Sequence, residues 1–388
     1  MLVTMPQPER YREPTFDDFL NGITSFEQLK TYDQSGSFTK EYATLPSRIR
    51  WNFPVESMQA QLVAFLQMTD SLRNHDLHAH YRTFKIPKKS GGYRTIWAPD
   101  DELQTAQRHL VTILKAFMPR TYHTSAFAYV TGRSTYDAVA KHQKWGSNWF
   151  AHFDFKDFFG STTKQFVMDQ MAVQYPFAIV KAEYPIVWTM LSAALDICFL
   201  DGGLPQGTPI SPLITNIMMI PFDHRITNAL HHFQSRKSKQ KTDRFVYTRY
   251  ADDIHISCRV DFDIREMESF LIQELKKINA PFTIKKEKTH YGNRNGQNWM
   301  LGYILNADNE ISIGAKNKKF IKAALFNFAS DYRNGIIWDK EDVMTLRGKL
   351  SYWAQHEKEK VQHTLEHLNA KVGFNVWDAT SECLNIGI

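Results

Sequence analysis

The sequence predicts an α+β core followed by a helical C-terminal unit. Strand-like and helical patterns alternate between residues 148 and 305, and the pattern becomes mainly helical after Gly314. The chain has 388 residues, of which 43% are hydrophobic and 13% aromatic, so it can bury a sizeable core. Since one compact unit usually takes about 100–200 residues, this length predicts two or three units. Strands followed by a run of helices are typical of the α+β class.

The first 120 residues contain an extension, a helix, a hairpin and a second helix. Residues 1–47 are polar and rich in turn-forming residues, which predicts an N-terminal extension. Apolar residues recur at helical spacing over 58–72 and again over 103–117. Between them, the strand-like runs YRTFKI and YRTIWA flank KKSGG. This pattern predicts a β-hairpin over 81–99 with a glycine-rich tip.

Strands are predicted in the middle of the chain and helices at its end. The best strand candidates are 148–155 and 244–258, the second being two apolar segments joined across Ala-Asp-Asp. A helix pattern over 264–278 precedes two more strand-like segments, FTIKKEK at 282–288 and NWMLGYIL at 298–305. Helical spacing then returns in two segments, 320–332 and 341 into the 360s.

Composition narrows the classes of function. With 47 Lys and Arg against 41 Asp and Glu, the net charge of +6 permits a nucleic-acid partner without requiring one. No stretch reaches the ~18 uncharged apolar residues of a membrane span, and the start lacks the pattern of a secretory signal. The three cysteines are scattered and form no metal-binding spacing, which is typical of a reducing cytosol. We therefore expect a cytoplasmic protein with no membrane partner.

Two carboxylate clusters stand out from their apolar surroundings. Asp154 emerges from the run FDFKDFF at 153–159, and Asp252 and Asp253 lie between two strand-like segments. A single aspartate at a strand end is as often a cap or turn residue. Adjacent acids are harder to explain structurally, because like charges repel unless a cation or solvent offsets them. Carboxylate oxygens suit Mg²⁺, and two such ions about 4 Å apart can activate a hydroxyl and stabilise a leaving oxygen.

Seven sequence blocks, taken in order, resemble the motif set of reverse transcriptases. They are YRTFKIPKKSGGYRTIWAPDDELQTAQ at 81–107, AYVTGRST at 128–135, Asp154 with Phe159, LPQGTPISPL at 204–213, YADD at 250–253, KKEKT at 285–289 and NWMLGYI at 298–304. The first block is similar to the fingers segment of bacterial and group II intron-type enzymes. The last two resemble the late-palm lysine motif and the primer-grip strand. One such motif alone would be weak evidence of a resemblance, whereas the seven blocks in this order are specific to the reverse transcriptase motif set.

The resemblance implies a right-hand polymerase fold, in which the palm is an antiparallel, ferredoxin-like sheet and the thumb is helical. The implied domains are an N-terminal extension (1–47), fingers (48–150), a palm (151–304) with a fingers insertion around 165–205, and a helical thumb (305–388). In such a fold, Asp154 and the Asp252–Asp253 turn meet on adjacent antiparallel strands.

The resemblance also implies the catalytic residues. Asp154, Asp252 and Asp253 would hold two Mg²⁺ ions, for which Mn²⁺ can substitute, and the backbone carbonyl of Phe155 would complete one coordination shell. Lys288 would donate a proton to the departing pyrophosphate. The alternative is that Lys288 neutralises phosphate or faces solvent within a basic patch.

A substrate-binding set is implied as well. Its members are Lys88, Lys89, Arg94, Asp157, Phe158, Phe159, Gln206 and Gly207. The cations of the hairpin would neutralise an incoming triphosphate, although such a run is often an ordinary solvated charge cluster. Gln206 and Gly207 would begin a loop whose backbone approaches the nascent base pair, where glycine avoids a Cβ clash. Phe159 would exclude the ribose 2′-hydroxyl; the alternative is a core phenylalanine.

Differences among reverse transcriptases narrow the lineage. LRGKLSYW at 346–353 resembles the thumb of group II-type enzymes. Retron enzymes are close in size, but the Val-Thr-Gly that they carry after the lysine motif is replaced by MLGY at 300–303. Their Asn-Ala-x-x-His element is not matched by DAVAKH at 137–142. Within the group II intron and retron-like lineage, the chain most resembles compact, defence-associated bacterial reverse transcriptases.

The resemblance predicts an RNA-directed DNA polymerase, a nucleotidyltransferase that adds dNTPs by two-metal phosphoryl transfer. Its template would be RNA, in this lineage a dedicated structured noncoding RNA used in antiviral defence, and its product would be DNA. Partner proteins or a homo-oligomer are further expectations. Two alternatives stay open: protein-primed or untemplated DNA synthesis, and a non-catalytic RNA-binding scaffold with the same fold.

Overall fold

The structure, a computed structural model, describes residues 54–88, 91–118, 120–233, 244–296 and 300–386. The predicted N-terminal extension and Lys89 lie outside these residues. Within the described part of the chain, no helix combines the length and the apolar character that a membrane crossing requires.

Helices and a hairpin form the N-terminal part of the described chain. They are α1 (Val55–Met68), α2 (Asp70–Asn74), β1 (Tyr81–Pro87), β2 (Tyr93–Pro99), α3 (Asp101–Phe117) and α4 (Thr135–Lys144). β1 and β2 pair antiparallel, with Tyr81 opposite Pro99, and we call them the fingers hairpin. Helix α3 begins where the Asp100 carboxylate accepts a hydrogen bond from the Leu103 N–H. The predicted hairpin and the helix predicted over 103–117 are confirmed, whereas the helix predicted over 58–72 is divided at Thr69 into α1 and α2.

An antiparallel sheet, which we call the palm sheet, lies at the centre. Its strands are β3 (Trp149–Lys156), β4 (Val246–Tyr250), β5 (Asp253–Cys258), β6 (Thr283–Ile284) and β7 (His290–Asn293). They are ordered β4-β5-β3-β6, and β7 also pairs with β3. With helices between β3 and β4 and between β5 and β6, this is the β-α-β-β-α-β arrangement of ferredoxin-like folds. The predicted ferredoxin-like sheet is confirmed.

Helices connect the strands of the palm sheet and cover it. They are α5 (Lys164–Met171), α6 (Phe177–Glu183), α7 (Pro185–Ala194), α8 (Ser211–His232) and α9 (Ile264–Lys277). Pro212 lies in the first turn of α8, where the missing N–H of proline costs no hydrogen bond. Phe222 of α8 packs edge-on against Phe155 of β3, with ring centroids 6.1 Å apart. This contact fixes α8 against the strand that carries Asp154.

The described residues form two hydrophobic cores. The first joins α1, α3, the palm sheet and α5–α9, and it includes Phe65 and Phe153. The second belongs mainly to the C-terminal elements β8 (Ile304–Leu305), β9 (Ile311–Ser312), α10 (Gly314–Arg333), α11 (Lys340–Val372) and α12 (Val376–Ile386). Because the second core also contains Phe150 of β3, the helical unit packs directly on the palm sheet. The predicted helical C-terminal unit is confirmed.

The strand predicted over 282–288 is shorter than expected. β6 covers only Thr283–Ile284, and Lys286–Lys288 is a short 3₁₀ helix. Its Lys288 N–H donates to the Lys285 carbonyl at 3.0 Å, so these groups do not pair with the sheet. The prediction was therefore wrong for the second half of the segment, where the chain turns to bring Lys288 towards β3.

The strand predicted over 298–305 is wrong at its centre. Met300 and Tyr303 exchange backbone hydrogen bonds of 2.8 and 2.9 Å across a two-residue turn. Leu301 and Gly302 both have positive φ angles, 52° and 92°, as this kind of tight turn requires. Strand geometry begins only at β8, while 297–299 lie outside the described residues.

Candidate active site

The predicted carboxylates meet at one end of the palm sheet. Asp154, near the end of β3, lies directly opposite Asp253, the first residue of β5. β4 and β5 are joined by the two-residue turn Ala251–Asp252, in which Ala251 has a φ of 56°. The Phe155 N–H donates to the Asp252 carbonyl at 3.2 Å, which ties this turn to β3. The predicted meeting of the two clusters on adjacent antiparallel strands is confirmed.

Two of these carboxylates have hydrogen-bond partners. The Lys288 ammonium donates to Asp154 Oδ2 at 2.6 Å, and the Asp154 side chain is 6% exposed. His152 Nε2 lies 2.8 Å from Asp253 Oδ1. We did not predict His152 from the sequence, although a signal existed. It precedes Asp154 by two residues in a strand, so both side chains lie on the same face.

The electrostatics of the cluster favour a bound cation. Burial, followed by the charges of Asp253 and Asp154, raises the pKa of Asp252 to about 6. Burial alone would lower the pKa of Lys288, but its hydrogen bond to Asp154 and the charges of the three carboxylates raise it instead. One lysine thus faces three acids, which leaves excess negative charge at the end of the sheet.

The oxygen atoms of this cluster are of the type that a hard divalent cation binds. Carboxylate and carbonyl oxygens are the ligands that Mg²⁺ takes, usually with waters and substrate phosphates completing the shell. In the described part of the chain, no group of three or more His, Cys, Asp or Glu side chains is arranged to hold a metal ion by itself. An open set of this kind suits an ion that is also held by its substrate.

A cavity of about 820 Å³ brings most of the predicted site residues together. Those that line it are Lys88, Arg94, Asp154, Phe155, Asp157, Phe158, Phe159, Gln206, Asp252 and Lys288. Asp253 and Gly207 do not line it, and Lys89 lies outside the described residues. One wall is the fingers hairpin, which contributes two cations, and the opposite wall is the carboxylate end of the palm sheet. The two walls therefore carry opposite charges, an arrangement suited to a ligand that carries several negative charges and a cation.

The loop at 204–207 holds the fingers hairpin against the palm. The Trp97 N–H of β2 donates to the Gln206 carbonyl at 2.7 Å. Gly207 has a φ of 113°, and a Cβ there would lie 2.6 Å from Ile96 Cγ2 and 2.9 Å from the Trp97 carbonyl oxygen. The close approach that requires this glycine is therefore to β2. Contact of this loop with a nascent base pair stays a prediction.

The aromatic run after Asp154 contains residues of different exposure. Phe155 and Phe158 are each 2% exposed and belong to the first hydrophobic core, although both also line the cavity. Phe159 is half-buried; it lines the cavity, packs against the same core and meets the Phe158 ring edge-on at 5.6 Å. Asp157 is exposed and has a φ of 48°, which turns the chain away from β3. Phe159 is thus the most exposed of the three phenylalanines that line the cavity.

Comparison with known proteins agrees with this geometry. Residues 86–305 match the family model described as reverse transcriptase (RNA-dependent DNA polymerase). This segment is more than half of the chain and includes every carboxylate of the site. The chain belongs to the reverse transcriptase family. It is an RNA-directed DNA polymerase with the fold of that family.

Similar curated proteins include retron reverse transcriptases. The chain is 27% identical over 286 residues to the retron Ec83 reverse transcriptase of Escherichia coli, covering 70% of this chain and 82% of that protein. Over 298 residues it is 26% identical to the retron Ec73 reverse transcriptase of the same species, covering 75% and 86%. These likenesses confirm a bacterial reverse transcriptase of the group II intron and retron-like lineage, even though two retron signature elements are replaced in this sequence.

Solved structures with similar folds include telomerases. The apo telomerase of Candida tropicalis matches with a TM-score of 0.44 and 11% identity, over 84% of this chain and 68% of that one. The telomerase of Candida albicans in complex with the TWJ fragment of telomeric RNA matches with a TM-score of 0.41 and 13% identity. That match covers 88% of this chain and 65% of the telomerase chain.

Proposed function

We propose that this reverse transcriptase adds dNTPs by two-metal phosphoryl transfer. Asp154, Asp252 and Asp253, with the backbone carbonyl of Phe155, would hold two Mg²⁺ ions, and Mn²⁺ would substitute. Such ions supply activation of the attacking hydroxyl and neutralisation of charge on the leaving oxygen. The observation that carries the proposal is the convergence of the carboxylates at one end of the palm sheet, facing hairpin cations across a shared cavity.

Other residues of the site would bind the triphosphate, donate a proton and position the nucleotide. Arg94 and Lys88, with Lys89, would bind the triphosphate, because they can reach phosphate oxygens from the hairpin wall. Lys288 lines the cavity next to Asp154, where its ammonium would donate a proton to the leaving pyrophosphate. Asp157, Phe158, Phe159, Gln206 and Gly207 would shape the nucleotide-binding side.

Replacing Asp252 and Asp253 by Ala tests this assignment. Mg²⁺-dependent incorporation of dNTPs should fall by at least about 10³-fold, because the developing charge loses its metal partners. The melting temperature should not fall, since these acids repel each other when no cation is present. Asp308→Ala, a change of an exposed turn acid, is the matched control and should keep full activity. Undiminished synthesis by the folded double variant would refute the metal assignment.

We propose further that the template is a dedicated structured noncoding RNA and that the DNA product serves antiviral defence in the cytoplasm. The similarity to retron enzymes and the motif resemblance to compact defence-associated enzymes support this. The buried Cys198, Cys258 and Cys383 form no disulfide within the described residues, which suits a reducing compartment. Nucleic acid that co-purifies with the full chain should contain one abundant structured RNA and DNA complementary to part of it. Random cellular RNA in that fraction would argue against a dedicated template.

Untemplated or protein-primed synthesis is the alternative activity. A defined RNA template with a DNA primer distinguishes the two, because templated synthesis gives a product whose sequence is complementary to the template. Product of equal yield without RNA, or product covalently attached to the protein, would favour the alternative. The non-catalytic scaffold is disfavoured, because the described residues include every carboxylate that the metal site needs.

The domain division is also a proposal. Fingers (48–150), palm (151–304 with an insertion around 165–205) and thumb (305–388) agree broadly with the two cores. The second core, however, includes Val139 of α4, Phe150 of β3 and Met300, so the proposed thumb packs on residues of the proposed fingers and palm. Limited proteolysis that cuts between the domains before it cuts within them would support this division.

A further inference from the structure

A buried ion pair lies directly behind the turn that carries the carboxylates. The side chains of Arg249 on β4 and Asp223 on α8 are both 0% exposed. Two parallel hydrogen bonds join them: Nε to Oδ1 at 2.8 Å and Nη2 to Oδ2 at 2.7 Å. The Tyr247 hydroxyl also donates to Asp223 Oδ1, at 2.6 Å. The guanidinium is therefore held in one orientation.

The same guanidinium reaches the catalytic turn. Arg249 Nη1 donates to the carbonyl oxygen of Ala251 at 3.0 Å. Ala251 immediately precedes Asp252 and has a φ of 56°, a left-handed conformation that is unfavourable for a residue with a Cβ. A charged donor on its carbonyl stabilises this conformation. The direction of the Asp252 side chain depends on the backbone that Arg249 holds.

Arg249 also connects the turn to two other segments. Its Nη2 lies 3.4 Å from Asn216 Oδ1 on α8, the helix that follows the Gln206–Gly207 loop. Its backbone N–H donates to the Ser125 carbonyl at 2.8 Å, and its carbonyl accepts from the Phe127 N–H at 2.9 Å. One residue thus joins the catalytic turn, α8 and the segment before α4.

Stability alone does not account for this pair. Desolvating two charges is so costly that a well-packed apolar pair of similar volume is often equally stable or more stable. An apolar pair could fill the same space behind β4, but it could not donate to the Ala251 carbonyl. Lysine in place of Arg249 would keep the charge and lose the fixed fork of donors.

We propose that Arg249, held by Asp223, is a positioning residue for DNA synthesis: it fixes the Ala251–Asp252 turn so that the carboxylates of Asp252 and Asp253 face Asp154. This inference rests on the proposed metal-binding function of those carboxylates. It adds two residues that touch neither metal nor substrate and act through the backbone of the turn.

The decisive variant is Asp223→Leu combined with Arg249→Met, which replaces the ion pair by an apolar pair. We expect the variant to fold with a moderately lower melting temperature, because no buried charge is left unpaired but the Tyr247 hydroxyl and the Ala251 carbonyl lose their partners. The rate at saturating dNTP should fall about 100-fold, the scale expected when catalytic groups are misplaced by about 1 Å. The Mg²⁺ concentration for half-maximal rate should rise, while the KM for dNTP should stay within about threefold, since the hairpin wall is untouched.

A control variant removes a more exposed ion pair away from the catalytic turn. Lys164 Nζ, at the start of α5, and Asp196 Oδ1, in the short 3₁₀ helix Leu195–Cys198, form a partly exposed ion pair. Lys164→Met combined with Asp196→Leu should keep both the rate and the Mg²⁺ dependence. A loss of rate in both double variants would indicate a general packing effect and overturn the positioning role.

Two further outcomes decide the proposal. A folded Asp223→Leu/Arg249→Met variant with parental rate and Mg²⁺ dependence would overturn it. If that variant does not fold, Arg249→Lys decides instead: a loss of rate of about tenfold or more with a weaker Mg²⁺ response supports the proposal, and parental values overturn it. Failure of the metal assignment is distinguishable, because only in that case would Asp252→Ala/Asp253→Ala continue to synthesise DNA.

Discussion

The two walls of the active-site cavity are built differently. On the palm side, Asp154 as a whole residue is 4% exposed, and its carboxylate accepts a hydrogen bond from the Lys288 ammonium. On the fingers side, Tyr93 is 67% exposed, and β1 and β2 present mostly exposed side chains. Within the described part of the chain, the side chains of Lys88 and Arg94 form no hydrogen bond or ion pair.

The difference separates two tasks. The palm carboxylates are fixed by backbone pairing before any ligand arrives, whereas the hairpin cations are left free for phosphate oxygens. Changes on the palm wall should therefore act on the catalytic rate and on Mg²⁺ dependence. Changes on the hairpin wall should act on nucleotide affinity, with little effect on the stability of the fold.

Among changes to the hairpin wall, Arg94→Ala should have the largest effect on the KM for dNTP. Losing a charge-assisted bond to a phosphate costs about 1.5–3 kcal/mol, so the KM for dNTP should rise about 10–100-fold. The melting temperature should not change, because the exposed side chain has no partner among the described residues. Steady-state kinetics at saturating Mg²⁺ measure both parameters. A loss of rate with unchanged KM would contradict the proposal that the hairpin wall determines nucleotide affinity and the palm wall determines the catalytic rate.

Phe159→Val tests whether the Phe159 ring determines the choice between ribonucleotides and deoxyribonucleotides. If the ring occupies the volume of a ribose 2′-hydroxyl, trimming it should raise the rATP:dATP incorporation ratio by about tenfold or more, while DNA synthesis stays measurable. If Phe159 only packs, stability should fall by up to ~3 kcal/mol with an unchanged ratio. Measuring the ratio beside the melting temperature distinguishes the two, and Phe166→Val, a change within the first core and away from the cavity, is the matched control.

Asp252→Asn should stabilise the metal-free protein at neutral pH. Burial and the neighbouring acids raise the pKa of Asp252 to about 6, above about 3.9 in the unfolded chain. An acid with a raised folded pKa destabilises the fold as pH rises through this window. In EDTA, the gain should be about 1–3 kcal/mol above pH 6 and should vanish below pH 4. Urea unfolding at pH 7.5 and pH 3.8 measures it, with Asp308→Asn as the control; an equal effect at both pH values would contradict the assignment.

Much of the site could be predicted because its residues fall in short sequence motifs, each of which is recognisable by its local pattern. The strand that ends at Asp154 and the turn at Asp252 each carry an apolar pattern with acids at its end, and this pattern predicts both the strands and their chemistry. The hairpin was predictable for a similar reason, since two β-rich runs flank a glycine turn. These strands and turns follow from local sequence patterns, and the contacts made in the folded protein do not change them.

The residues that the sequence did not reveal act through partners far along the chain. Arg249 lies within a β-rich run, and a charge there signals a buried partner. The sequence does not show that the partner is Asp223 on α8, because that pairing depends on how the helix packs. The turn at 300–303 was missed for a different reason: its apolar residues resemble a strand, while the positive φ of Leu301 depends on its surroundings.

Titration with Mn²⁺ followed by electron paramagnetic resonance tests the central claim most directly. With a saturating non-hydrolysable dNTP, the parent protein should bind Mn²⁺ saturably, and Mg²⁺ should compete. Asp154→Asn should lose this binding, because a neutral amide replaces a carboxylate ligand, whereas Asp308→Asn should keep it. Equal Mn²⁺ binding by Asp154→Asn and the parent protein would contradict a metal site at the end of the palm sheet.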